Sequence, residues 1–140
     1  MTEMSKYATE QLSRLLGRLV FVAHAAARNH DEESIHDLRV AIRRLLQGLR
    51  TFRQFLPRQE VKKIRKRLNS MIHAAAVVRD RDIALAFLHE PGTGQVAALC
   101  AALESERKDA QNRLVELLQH WESRNTSSRW RSRLRLSSLR

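Results

Sequence analysis

The sequence predicts an all-α fold, an antiparallel helical bundle of about four to five helices. Three observations carry that prediction. Apolar residues recur at three- and four-residue spacing along most of the chain, which is the period of an amphipathic helix. The 140 residues include only four glycines and two prolines, so helix-breaking residues are scarce. No segment alternates with period two convincingly, except "RSRLRL" near the end.

The first helix is expected from about Ser5 to Ala27, with Leu12, Leu15, Leu16, Leu19, Val22, Ala23 and Ala26 on its core side. "RNHDEES" interrupts it, and Asp31 or Ser34 can cap a second helix that stops before Pro57. Leu38, Ile42, Leu45, Leu49 and Leu56 form the apolar side of that helix. The third is expected from about Gln59 to Val78, with Ile64, Leu68, Met71, Ile72 and Ala75 inward. A short fourth helix follows "RDRD", where Asp80 either caps it or pairs with an arginine of the basic stripe, and breaks at Pro91, Gly92 and Gly94. The fifth runs from about Gln95 to Glu122 and presents Val96, Leu99, Leu103, Ala110, Leu114, Leu117, Leu118 and Trp121 to the core. Residues 1–123 therefore read as the helical domain, and residues 124–140 as an arginine-rich tail or the start of a further helix.

The formal net charge is +11, which points to an anionic partner. The charge is also segregated. Between Arg39 and Arg67 there are eleven basic residues against one acid, Glu60. From Arg124 onward there are six arginines and no acid. Projected at 100° per residue, His36, Arg39, Arg43, Gln47 and Arg50 share one flank of the second helix, beside its core stripe. Arg44 and Arg53 fall outside that flank. On the third helix Lys62, Lys66, Asn69 and His73 share a side, with Arg65 at its edge. The tight turn at "LPRQE" makes these two helices antiparallel neighbours, so the basic stripes can line one groove from both sides. Arg107 lies on the last helix, away from the basic segment.

Guanidinium forks grip phosphate oxygens two at a time, and lysines add point charge. A row at helical pitch repeats every ~5 to 6 Å, close to the spacing of a phosphate chain. The candidate anion-binding residues are thus His36, Arg39, Arg43, Arg50, Lys62, Arg65, Lys66 and His73. A solvated basic face is the plain alternative for any one stripe, and His36 and His73 each have an ordinary role open to them, as cap or partly buried bystander.

"IHDLRVAIRRLLQGLRTF", followed by "VVRDRDIAL", resembles the CHAD family, the conserved histidine α-helical domain. The resemblance rests on His36, Leu38, Arg39, Val40, Arg43 and Arg44, then on Arg79 and Asp80. "SSRWRSRLRL" is similar to the family's aromatic-and-basic segment that opens a next helix. The resemblance implies a helical-bundle domain that binds inorganic polyphosphate in a basic channel, association with polyphosphate granules, and in some members the company of triphosphate-tunnel enzymes. His36, Arg39 and Arg43 are the motif positions; Lys62 and Lys66 are the implied contacts of the neighbouring helix. Family domains usually hold two such helical repeats, and this chain carries one. Self-association to a homodimer is therefore expected to supply the second half of the channel.

Three other classes fit less well. A nucleic-acid binder would show the same phosphate contacts and would add exposed aromatics, for which Trp130 is the best candidate and Phe52 reads as core. An enzyme would need a constellation that is not visible: there is no glycine-rich phosphate loop and no His-Glu-x-x-His or Cys-x-x-Cys pattern. Asp80, Asp82 and His89 are the nearest approach to a metal set, and neither a metal nor a cofactor is expected. A membrane module would need an apolar face that the arginine tail lacks. The lone Cys100 rules out an internal disulfide, the start lacks a signal pattern, and runs such as "LVFVAHAAA" are too short to span a bilayer. A cytoplasmic protein is expected.

Overall fold

In a computed structural model, which describes residues 2–90 and 96–136, the chain forms α1 (Glu3–Arg28), α2 (Glu32–Thr51), α3 (Arg58–Leu88), α4 (Ala97–Ser123) and α5 (Thr126–Arg133). A single 3-10 turn at Arg53–Phe55 joins α2 to α3, and no strand occurs among the described residues. The fold is an all-α bundle.

Each turn has a local cause. The Ser5 amide donates to Thr2 Oγ1 at 3.0 Å and caps α1. Asp31 is the α2 cap, accepting from the Ser34 amide at 2.8 Å. That hydrogen bond holds the Asp31 carboxyl below its ordinary range. After α2, buried Leu56 and Pro57 turn the chain into α3. Asn125, in the left-handed region at φ 54, ends α4 and starts α5.

The core is the convergence of the predicted stripes. Leu12, Leu16 and Leu19 of α1, Leu38, Ile42 and Leu49 of α2, Ile64, Leu68 and Met71 of α3, and Leu114, Leu118 and Trp121 of α4 are all buried. Gly48 lets α1 and α2 approach closely: a Cβ there would stand 2.8 Å from Leu15 Cδ1 and 3.0 Å from Leu12 Cδ2.

Two expectations change. The separate short fourth helix does not form; α3 continues through "RDRD" to Leu88, and Asp80 sits within a helix rather than capping one. No proline or glycine falls between Arg58 and Glu90, and the "RDRD" segment is held from α4. Arg81 Nε lies 2.9 Å from Glu106 Oε2, and Arg107 Nε 2.5 Å from Asp82 Oδ1. The break expected at Pro91, Gly92 and Gly94 lies outside the described residues. Leu99, placed in the core stripe by its spacing, is 50% exposed. Beyond Val78 on α3 and before Ala110 on α4 no residue is buried, so the two helix ends extend past the core as a hairpin.

Residues 126–134 are part of the bundle. Trp130 is 4% exposed and meets Trp121 edge-on, with ring centroids 5.6 Å apart. Arg131 donates to the hydroxyl and carbonyl of Ser13, tying α5 to α1. The alternating "RSRLRL" is helical through Arg133.

Arg107 is a structural residue. Besides Asp82, it donates to the His30 carbonyl at 2.8 Å and to Gln111, joining α3, α4 and the α1–α2 turn. Arg107→Ala should lower unfolding stability by about 2 kcal/mol, the scale of charge-assisted hydrogen bonds lost from a half-buried site. Urea denaturation measures it, and an unchanged midpoint would contradict the assignment.

Candidate functional site: the basic seam between α2 and α3

The α2–α3 seam carries three hollows. At the turn end, a groove of about 720 Å³ is lined by Arg53, Arg58, Gln59, Val61, Lys62 and Arg65. Next, a groove of about 340 Å³ is lined by Arg43, Leu46, Gln47, Arg50, Arg65 and Asn69. Arg65 lines both. At the opposite end, His36 and Arg79 line a smaller hollow with Glu32, Ile35, Asp82, Ile83 and Ala86. The α2 residues from His36 to Arg50 span ~21 Å of helix.

Arg39 is the unusual member. It is 7% exposed, on the flank of α2 that turns toward α3. Burial disfavours its charged form first, then Arg43 and Arg79, while Asp80 favours it; the net effect lowers its pKa from the ordinary arginine value. Its Nε is buried with no hydrogen-bond partner. Buried donors are normally satisfied, because an unpaired one forfeits its hydration for nothing. The α2–α3 seam therefore holds a desolvated cation among like charges, with a donor to spare.

The eight residues singled out from the sequence divide in the structure. Arg43, Arg50 and Arg65 meet in the central groove, and Lys62 lines the turn end. Arg39 is buried between Arg43 and Arg79, and His36 stands at the far end beside two carboxylates. Lys66 is exposed and lines none of these hollows. His73 faces the other way, into the α3–α4 groove with Glu106, Asp109 and Arg113.

Three contributors were missed: Arg53, Arg58 and Arg79. The signal for Arg79 was present, since it follows Arg65 by 14 residues, close to four whole turns. Ending the third helix at Val78 hid that register. Glu60, the one acid of the basic segment, points away from the seam, lying 3.9 Å from both Lys63 and Arg133.

The aromatic expectation is corrected. Trp130 is enclosed against Trp121 and offers no stacking face. Phe52 is half-buried and meets Tyr7 edge-on at 6.2 Å. No aromatic side chain lines the three hollows. Asp82 is engaged by Arg107, and no group of three or more His, Cys, Asp or Glu is placed to hold a metal among the described residues. No helix among them is long and apolar enough to cross a membrane.

The two basic helices and the histidine-headed stripe give one cationic seam along an all-α bundle. A family model described as "CHAD domain" matches residues 7–140, and the chain belongs to that family. Neither the curated proteins nor the solved structures contain a significant match.

Arg39→Met keeps the stem and removes the buried charge. The exposed Asp80 is left in water, so the apo protein should gain about 1 kcal/mol of stability, as when buried ionic groups yield to apolar ones. Thermal melting without added polyanion measures it. A loss comparable to Arg107→Ala would show that Arg39 is satisfied within the fold.

Proposed function

We propose that the protein binds inorganic polyphosphate along the α2–α3 seam and does not turn it over. The observation that carries the reading is buried Arg39, with its unpartnered Nε, between exposed arginines of both helices. An extended polyanion laid along the seam neutralises Arg43, Arg50, Arg65 and Lys62 in sequence, and membership of the CHAD family supports that ligand. Nucleic acid offers the same phosphates, but the hollows lack the stacking side chains that single strands use. Phosphate chemistry alone suffices here, with no reading of base edges.

The proposal extends to place and assembly: a cytoplasmic protein on polyphosphate granules, working as a homodimer. Ile83, Phe87 and Leu99 are all at least half exposed, and all belong to the α3–α4 hairpin beyond the core. Apolar surface of that kind normally finds a partner. A second copy is the simplest, and polyphosphate bridging both copies would strengthen the pair by linkage.

Binding to polyphosphate of defined length should weaken steeply with salt, by analogy with the fall of ~0.7 to 0.9 in log affinity per log salt for each nucleic-acid phosphate contacted. Arg43→Ala and Arg65→Ala should each cost about 1.5 kcal/mol of binding, the lower end for a charged contact because both side chains are exposed. Lys108→Ala, an exposed cation on α4, should change little and serves as the reference. Equal losses at all three would mean bulk charge rather than a site, and release of orthophosphate would overturn the non-catalytic reading.

Light scattering at micromolar protein should give twice the chain mass, with Phe87→Ser shifting it toward monomer. A monomer with and without polyphosphate would contradict the shared channel.

A further inference from the structure

A second basic cleft lies where α3, the end of α4 and α5 meet, on the opposite side of α3 from the seam. Lys63, Arg67, His120, Arg124, Arg129 and Arg133 line it, around a cavity of about 290 Å³. Lys63 and Arg67 stand roughly 160° around α3 from Arg65 and Asn69, so one ligand in the seam does not reach them. Glu60 lies at its edge, 3.9 Å from both Lys63 and Arg133. Among the described residues no carboxylate lies within 4.0 Å of Arg67, Arg124 or Arg129. Arg67 Nε is buried with no hydrogen-bond partner, the same condition as Arg39 in the seam.

Three features favour a ligand over a solvated face. The cations come from three separate helices and converge on one concave volume. Trp130 forms part of its wall and is held rigidly by Trp121, so the lining is preorganised. Thr126, at the first turn of α5, adds a hydroxyl to the lining, and no side chain caps that helix start. The volume is at the small end for ligand sites, which suits a compact anion rather than a long chain. Convergent guanidinium groups select tetrahedral oxyanions.

We propose that this cleft is a separate binding site for a compact phosphate-rich anion, independent of the seam. A free condensed phosphate and a phosphorylated lipid headgroup share the chemistry it recognises.

The two tryptophans of the chain are Trp121 and Trp130, and Trp130 lines this cleft but none of the seam hollows. Tryptophan emission therefore reports locally on the cleft. Full-length protein carrying Arg43→Gln and Arg65→Gln should still bind tripolyphosphate by calorimetry, with a saturable emission change. Adding Arg67→Gln and Arg129→Gln should weaken that binding at least about tenfold, the equivalent of one charge-assisted contact. Arg129→Gln alone, at an exposed position, should give a smaller loss and serves if the multiple variant does not fold. Vesicles of neutral lipid with and without a phosphorylated inositol headgroup distinguish the source: an emission change only with charged vesicles, and none with tripolyphosphate, assigns the site to lipid. Absence of binding to the seam variant from either source would overturn the second site and leave the seam reading intact. Binding that survives the Arg67 and Arg129 changes undiminished would overturn it too.

Discussion

The structure depends on one opposition: apolar faces draw α2 and α3 together while their flanking arginines push apart. Leu38, Ile42 and Leu49 on one helix and Ile64, Leu68 and Met71 on the other are fully buried. Each contributes roughly 1.5 to 3 kcal/mol by leaving water. Exposed like charges repel by only about 1 kcal/mol per pair in a solvated surface setting. Packing therefore wins easily, and the seam closes with its charges on the rim. Arg39 is the exception, because its position nearest the core stripe carries it inside with the leucines. The fold tolerates that desolvated cation through Asp80 and through the excess of apolar burial elsewhere.

The unbroken length of α3 turns that local opposition into a long surface. Had the chain broken at "RDRD", Arg79 would face a different direction from Arg65, and the seam would end at its middle. Instead Arg79 stays in register and the basic row continues to His36. The same continuity carries α3 beyond the core, where ion pairs to α4 replace apolar packing. Arg107 anchors this hairpin to the α1–α2 turn. Ile83, Phe87 and Leu99 in this hairpin are each half exposed or more.

Much of this was legible in the sequence. The stripes of α1 and α2 fall where spacing put them, because each helix has one core-facing side and a strong cap. The basic flank of α2 was legible for the same reason. Less legible was anything decided by partners distant along the chain. "RDRD" looks like a breaker by charge, yet Glu106 and Arg107 hold it helical. Leu99 keeps the right period, but it lies on the part of α4 that extends past the core and is half exposed. His73 has the right spacing but opens on the α3–α4 groove, since the core direction of a long helix is set by two neighbours at once. Trp130 reads as an exposed aromatic among arginines until Trp121 is seen to enclose it.

The central claim is that Arg39 holds a donor in reserve for an anion in the seam. Nitrogen-15 NMR of the arginine Nε–Hε groups tests it most directly, following each signal as polyphosphate is added. The account predicts a large downfield shift and slowed solvent exchange at Arg39, smaller shifts at Arg43, Arg50 and Arg65, and little change at Arg44 on the outer face of α2. An unperturbed Arg39 signal with Arg44 shifting as much as Arg43 would contradict it.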